Sequence, residues 1–288
     1  MNLQLLLTGI SLGAVYSFIA IGMVLIYRAV GIVNFAQGDF LMLGGFVYYT
    51  LIQMALFSAW ISLLITTLVV GVSGIVFQFV CYWPLRNAQD KAIVVSTLGA
   101  SIFMREGAKL IWGATPRATK PLVAGTAKIG TAVLQWQYLI IIAIAIVVIA
   151  GIYIMLEKTQ LGSIMQATAQ NQYAASLMGI PVGTAIAVTF FLSMLVTGLS
   201  GALLSPVYFV TNTMGGSSGV KAFAAIVIGG FGSIPGAIIG GVFIGLVEVF
   251  GGAYISTTYK DTIVFLVLVV SLLIRPKGIF GEKTAEKS

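Results

Sequence analysis

The chain has 288 residues, of which 59% are hydrophobic and 8% are charged, and its formal net charge is +7. Soluble domains carry about 25% charged residues, so this composition excludes a soluble protein and indicates an integral membrane protein. The sequence has no histidine and a single cysteine, Cys81, which excludes an intrachain disulfide and an imidazole-based metal or catalytic site.

Apolar stretches follow one another along the chain, and most have the roughly 20 residues that a membrane span requires. In chain order they are 5–27, 32–54, 61–82, 92–112, 136–156, 185–208, 222–250 and the shorter 262–274. The sequence therefore predicts an all-α integral membrane protein, a polytopic helical bundle with about eight membrane-crossing elements.

A polar cluster begins the second span, in the segment GIVNFAQGDFLMLGG. Asn34, Gln37, Gly38 and Leu41 fall on one helical face, whereas Asp39 points away from Asn34. Polar groups inside a membrane are costly, so they indicate a functional site by default. Two interpretations remain: the start of this span is unwound, or Asp39 serves packing while Asn34 and Gln37 face a transport path. The alternative for Asn34 and Gln37 is an interhelical hydrogen bond.

The polar segment 157–183 lies between two spans and carries helix-boundary signals. Ser163 followed by Gln166 matches a capping box, which predicts a helix start at Ser163. Gly179 supplies the left-handed residue that closes a helix, and Pro181 cannot continue one, so the helix is expected to end near Met178.

This predicted helix has an apolar, small face, on which the pair Ala174 and Ala175 would let a partner backbone come close. The alternative is a helix that lies in the lipid headgroup layer. The segment has one acid, Glu157, and one base, Lys158, so it lacks the cationic face that usually holds such helices on anionic lipid.

The stretch 222–250 contains the run GGFGSIPGAIIGG. Pro235 and its flanking glycines predict a broken or re-entrant element near Ser233-Ile234-Pro235. The run does not form a phosphate-binding motif; instead its small-xxx-small glycine pairs predict close helix packing. Glu248, near the end of this stretch, is expected to be solvated or ion-paired.

The basic residues are scattered one or two per loop, which favours lipid headgroups over nucleic acid as their partner. If the 157–183 loop and the tail 276–288 both face the cytoplasm, the first residues start outside, and 222–250 must then contain an extra crossing.

Four separated motifs in order resemble the LivH-type permeases of branched-chain amino-acid ABC importers, the LivH/LivM permease family. They are GISLGAVYSFIAIGMVLIYRAVGIVNFAQGDF, TQLGSIMQATAQNQYAASLMGI, GGFGSIPGAIIGG and YKDTIVFLVLVVSLLIRPKGIFG. The likeness covers nearly the whole chain, and substrates within the family include other amino acids, urea and amides.

The resemblance implies a multi-pass subunit of the bacterial inner membrane that is not itself an enzyme and binds no cofactor. Its expected partners are a LivM-type permease, two ATP-binding cassette subunits that use ATP and Mg²⁺, and a periplasmic or extracellular substrate-binding protein. The 157–183 segment would be the cytoplasmic coupling loop. Its family signature, EAA with a glycine four residues later, is matched by Ala174, Ala175 and Gly179, whereas Tyr173 replaces the acid.

Under this interpretation the 31–45 segment lines the substrate pathway. Asn34 and Gln37 would offer polar contacts to a zwitterion, while Phe35 and Leu41 would accommodate its aliphatic part. The alternative function is a stand-alone secondary transporter or channel for small polar solutes such as urea or amides, which would usually carry ionisable residues in its spans. Asp39 is the strongest such residue.

Overall fold

The structure, a computed structural model, describes residues 2–55, 57–129, 132–275 and 278–280. Within these ranges the chain is almost entirely helical, which confirms the predicted all-α class. The helices are α1 Asn2–Val30, α2 Gln37–Gln53, α3 Ala59–Phe77, α4 Asp90–Trp112, α5 Trp136–Lys158, α6 Gln160–Gln170, α7 Gln172–Leu177, α8 Val182–Leu204, α9 Met214–Gly229, α10 Ile234–Tyr254 and α11 Lys260–Ile274. A π-helical turn, Gln78–Tyr82, and a 3₁₀ turn, Trp83–Leu85, extend α3.

The long helices coincide with the predicted spans. Five elements in the described part of the chain are apolar and long enough to cross a membrane: α1, α3 with its extension, α5, α8 and α10. The helices α2, α9 and α11 are shorter, at 17, 16 and 15 residues. The predicted break divides the stretch 222–250 between α9 and α10, so that nine of the described helices have at least 15 residues.

The central helix of the bundle is α1. Every residue from Ser11 to Ile26 is buried, and the helix packs against α5, α8, α9 and α10. A helix that is hydrophobic on all sides is stable when other elements enclose it. The longest helix in the described part of the chain therefore forms the core instead of facing lipid.

Glycines bring α10 within backbone distance of two neighbours. Gly236 and Gly240 face α9, whereas Gly241 and Gly245 face α1. A β-carbon on any of the four would collide with the facing helix. The predicted small-residue packing is confirmed.

The turn between α9 and α10 is the predicted break. Gly230 and Gly232 adopt φ values of +109° and +82°, a region that glycine occupies without strain. The Ser233 hydroxyl accepts a hydrogen bond from the Gly236 N–H at 3.1 Å and caps α10, and Pro235 lies in its first turn. The two helices therefore run antiparallel.

Four hydrogen bonds gather α7, the C-terminal end of α1, the end of α9, the turn 230–233 and the segment 278–280 at one end of the bundle. They are Gln172 Nε2 to the Ala29 carbonyl (2.9 Å), Arg28 Nε to the Gly232 carbonyl (2.5 Å), Ile279 N to the Ile228 carbonyl (2.9 Å) and Phe280 N to the Gly229 carbonyl (2.9 Å). The 157–183 segment and residues 278–280 thus lie at the same end of the bundle. The rest of the tail 276–288 lies outside the described residues.

The opposite end holds a feature that the sequence did not predict, a two-stranded antiparallel hairpin. It consists of β1 Thr126–Ile129 and β2 Ala132–Gln135. Nearby, Arg117 and Val210 exchange backbone hydrogen bonds, and the Tyr254 hydroxyl donates to Asn2 Oδ1 at 2.7 Å. The strands are four residues each, too short to give a clear alternation in the sequence.

Candidate translocation and coupling sites

The chain is unwound between α1 and α2, over residues 31–36. Gly31 has a φ of +75°, and α2 begins at Gln37 without a side-chain cap. The Asn34 Oδ1 accepts the Ala36 N–H at 3.0 Å, and the Asn34 Nδ2 donates to Gln37 Oε1 at 3.2 Å. The structure thus has the unwound start that the sequence left as one of two possibilities.

Gln37 links this segment to α8 and, through it, to α1. Its Nε2 donates to Ser193 Oγ at 2.9 Å and to Thr197 Oγ1 at 2.6 Å, and the Ser193 hydroxyl donates to the Gly22 carbonyl at 2.8 Å. Asn34 and Gln37 are both buried. In this conformation they make interhelical and local hydrogen bonds, so direct contact with a substrate would require the 31–36 segment to rearrange.

The other predicted pathway residues divide by exposure. Gly38 and Leu41 are buried, and Gly38 packs directly on the backbone of Gly215 in α9. Phe35 is exposed over 43% of its surface and lies beside Phe223, with ring centroids 6.3 Å apart. Among these three, Phe35 alone presents a surface.

Asp39 is fully buried and forms an ion pair with Arg105 of α4. Arg105 Nε donates to Oδ1 at 2.7 Å, and Nη2 lies 3.5 Å from Oδ2. Sequence reasoning missed Arg105. The available signal was an arginine inside the predicted span 92–112, close to Glu106 and Lys109.

A second ionic network joins α1, α9, α10 and α11. The Glu248 carboxylate accepts hydrogen bonds from the Tyr16 hydroxyl at 2.6 Å and from Lys221 Nζ at 2.7 Å. Lys221 Nζ also lies 2.8 Å from Asp261 Oδ1, and Lys260 Nζ lies 3.3 Å from Glu248 Oε1. The expected ion pairing of Glu248 is confirmed, but the carboxylate is buried rather than close to water, and sequence reasoning missed Lys221.

The capping box predicted in the 157–183 segment does not form. The helix α6 begins three residues earlier, because the Thr159 hydroxyl accepts the Gly162 N–H at 3.2 Å and caps it. Ser163 Oγ instead donates to the Thr159 carbonyl at 3.3 Å, and Gln166 Nε2 donates to the Leu156 carbonyl at 2.7 Å. Gln166 therefore ties α6 to the end of α5.

The predicted single helix is two helices. Asn171 leaves the helical conformation, and its Oδ1 accepts the Ala174 N–H at 3.0 Å to cap α7. At the far end Gly179 has a φ of +80° and the Ile180 N–H bonds the Ala175 carbonyl at 3.0 Å, which confirms the glycine-closed terminus.

The break at Asn171 divides the predicted apolar face. On α6, Thr168 of that face is buried against the bundle, together with Met165, which was not predicted to lie on it. On α7 Ala175 is buried and Ala174 is exposed. Three large side chains of α7 and its C-cap point away from the protein: Tyr173, Leu177 and Met178, at 74%, 71% and 83% exposure.

Comparison with known proteins gives consistent matches over the whole chain. A family model described as "Branched-chain amino acid transport system / permease component" matches residues 5–272. The chain is 34% identical over 301 residues to the "High-affinity branched-chain amino acid transport system permease protein LivH" of Escherichia coli K12, covering 99% of this chain and 97% of that protein. It is 32% identical over 302 residues to the corresponding permease BraD of Pseudomonas aeruginosa, with the same coverage.

Among solved structures, PsaBC from Streptococcus pneumoniae in complex with Fab matches with a TM-score of 0.54, at 15% identity, over 96% of this chain and 93% of that one. At this identity the likeness concerns the fold alone. It supports an overall helical arrangement that is shared well beyond the sequence relatives.

Proposed function

Because the chain belongs to the family of permease components of branched-chain amino acid transport systems, we propose that it is the membrane-spanning subunit of an ATP-driven importer of branched-chain or related amino acids. It is a multi-pass protein of the inner membrane. The chain binds no cofactor of its own, and ATP and Mg²⁺ are used by two ATP-binding cassette subunits. A LivM-type permease and a substrate-binding protein complete the complex.

The observation that carries this proposal is the exposed apolar surface of α7. Tyr173, Leu177 and Met178 project from the end of the bundle that also holds residues 278–280. A helix lying in the headgroup layer would need basic side chains beside this apolar surface, and α6 and α7 contain none. An exposed cluster with an aromatic residue is typical of a protein interface.

The insert is also built to transmit force into the bundle. Gln172, the first residue of α7, donates to the Ala29 carbonyl at the end of the central helix α1. Gln166 bonds the end of α5. An ATP-binding subunit that binds α7 therefore acts on α1 directly and on α5 through α6, which suits alternating access. Ser163, Gln166, Ala174, Ala175 and Gly179 shape this coupling element, and Tyr173 replaces the family's acid by an apolar contact.

The proposed substrate pathway begins at the unwound segment 31–36. Phe35 faces outward from it, and Asn34, Gln37, Gly38, Asp39 and Leu41 form the layer behind. We place these buried residues on the pathway because they lie on or next to the non-helical stretch 31–36, which joins the end of α1 to the start of α2. Non-helical backbone at membrane depth is tolerated where it lines a cavity or is buried in protein.

The test replaces the apolar surface of α7 by charge. Leu177→Glu combined with Met178→Glu should weaken binding of the ATP-binding subunits by about 30-fold, the equivalent of losing one interface hot spot of about 2 kcal/mol. Co-purification of those subunits and ATP-dependent uptake are measured at equal expression. Val133→Glu is the matched control, since Val133 is an exposed apolar residue of the hairpin at the opposite end.

Unchanged co-purification in the double variant would overturn the docking surface. Uptake by the lone chain in vesicles without ATP would overturn the importer assignment itself and support a stand-alone transporter.

A further inference from the structure

Arg105 lies inside the membrane bundle, on α4 seven residues before that helix ends at Trp112. Its partner Asp39 is two residues beyond Gln37, whose amide reaches Ser193 and Thr197 of α8. Ser193 is the twelfth residue of a 23-residue helix, so at 1.5 Å per residue it lies about 16 Å from either end. The Arg105 side chain is nevertheless 36% exposed. A cation at this depth is unfavourable against lipid, so this face contacts water or protein.

The guanidinium uses one edge and leaves another open. Nε and Nη2 face the Asp39 carboxylate, whereas Nη1 has no hydrogen-bond partner among residues 2–55, 57–129, 132–275 and 278–280. Arginine has five N–H donors in a fixed plane, and that plane matches a carboxylate bidentately. Asp39 therefore fixes the orientation of the guanidinium while part of its donor set remains available.

Gly216 of α9 lets the guanidinium pack closely against the helix backbone. A β-carbon at Gly216 would sit 3.1 Å from Arg105 Cζ and from Nη2, closer than side chains normally approach. Next to it Ser217 is exposed, and one turn further Val220 is 47% exposed. The α9 side of this surface therefore has small and polar side chains beside the cation and apolar side chains further along the helix.

The apolar part continues to the unwound segment. Phe35 packs beside Phe223 of α9, and its backbone N–H bonds Thr97 Oγ1 of α4 at 3.4 Å. From Gly216 to Phe223 is seven residues of helix, or about 10 Å. One surface thus carries a cation at one end and an aromatic side chain at the other, over a length that suits one small amphiphilic molecule.

We propose that this surface lines the translocation path, that the free edge of Arg105 receives the carboxylate of the transported amino acid, and that Phe35 and Val220 contact its aliphatic side chain. The proposal rests on the proposed importer function. Asp39 acts as the positioning residue, since it holds the guanidinium against α9 and is itself too buried to meet a substrate.

The first experiment tests whether the surface is wet in the assembled complex. Ser217→Cys is made in a Cys81→Ser background, and its reaction rate with a small cationic methanethiosulfonate is measured in nanodiscs. The control is Val147→Cys, at an exposed position in the middle of α5. We expect Ser217→Cys to react at least about tenfold faster than the control. The reagent reacts with the thiolate, and a cysteine ionises to the thiolate only where water reaches it. Equal labelling rates of Ser217→Cys and Val147→Cys would overturn the proposal. So would a Ser217→Cys that is not labelled but can be cross-linked to the second permease, because the surface would then be a protein interface.

The second experiment tests the carboxylate contact in the complete complex with loaded binding protein. Arg105→Lys keeps a positive charge beside Asp39 but loses the second donor edge of the guanidinium. The double variant Asp39→Asn with Arg105→Gln removes both charges, so neither is left unpaired. We expect either variant to lower uptake about tenfold or more, the equivalent of one charge-assisted hydrogen bond, while binding protein still stimulates ATP hydrolysis. Lys109→Gln, one turn further along α4, is the control and should transport normally.

Normal uptake by Arg105→Lys would overturn the proposed carboxylate contact. This result stands even if the variant with Asp39→Asn and Arg105→Gln does not fold. Failure of the proposed importer function has a different signature, since the unmodified complex would then show no ATP-dependent uptake and no stimulated hydrolysis.

Discussion

Glu248→Gln should destabilise the protein strongly, because the Glu248 carboxylate is the common acceptor of a buried network. It accepts from the Tyr16 hydroxyl at 2.6 Å and from Lys221 Nζ at 2.7 Å, and Lys260 Nζ lies 3.3 Å away. The Glu248 side chain is 3% exposed and that of Lys221 6%. Glutamine has nearly the same shape, so the substitution removes the negative charge without opening a cavity.

The magnitude follows from what remains around Lys221. Removing one partner of a buried ion pair costs about 3–5 kcal/mol. Lys221 retains Asp261 at 2.8 Å, so the lower end, about 3 kcal/mol, is expected. At about 2 °C per kcal/mol for a chain of this size, the melting temperature should fall by about 6 °C. Cys81, the single and buried cysteine, reports unfolding in mild detergent through a thiol-reactive dye.

The matched control is Glu106→Gln on α4. Glu106 pairs with Lys109 at 3.5 Å, but the two side chains are 61% and 50% exposed, and such pairs contribute about 0.5 kcal/mol or less. Its melting temperature should fall by about 1 °C at most. Melting within 1 °C of this control by Glu248→Gln would refute the assignment of a structural role to the network. Glu248→Gln combined with Lys221→Met should recover part of the loss, since the buried Lys221 charge is then removed as well and the partly exposed Asp261 side chain can be solvated.

Two further substitutions test packing and capping. Gly38→Ala would place a methyl group against the backbone of Gly215 and should lower the stability measured in a thermal melt by about 1–3 kcal/mol. The control Gly99→Ala meets open space in α4 and should be neutral or slightly stabilising. Equal effects of the two substitutions would contradict the close contact. Asn171→Ala removes the cap of α7 and should destabilise that helix by about 1 kcal/mol, seen as faster hydrogen exchange over Gln172–Leu177 with α6 unchanged.

The membrane helices and their breaks could be predicted because their causes are local. Long apolar runs leave a chain in lipid no alternative to the helix. The turn between α9 and α10 follows from the glycines around Pro235, and the end of α7 follows from Gly179. The predicted start of α6 was wrong because Thr159 and Ser163 both have side chains that can cap a helix. Thr159 is the cap because the chain turns sharply after α5, where a β-carbon on Gly162 would collide with the end of that helix.

The candidate sites were harder to predict, because their partners are distant in sequence. Asp39 could be recognised as a polar residue inside a span, but its partner Arg105 is 66 residues away. Glu248 could be expected to pair, but its partner Lys221 comes from another helix across the break. Exposure is likewise a property of tertiary packing: Ala174 and Ala175 are adjacent and chemically identical, yet one is exposed and the other is buried.

The two buried ionic groups differ in how their cations are compensated. In the Glu248 network, Lys221 Nζ lies within 2.8 Å of two carboxylates, those of Glu248 and Asp261, and the ammonium is buried among four helices. In the Asp39 pair the carboxylate is enclosed but the guanidinium has an open edge on an exposed face. A cation held between two carboxylates of its own chain contributes to stability, whereas an arginine inside the membrane with a free donor edge is suited to a partner from outside the chain. The loss of Glu248 should therefore appear in unfolding, and the loss of the Arg105 fork in transport.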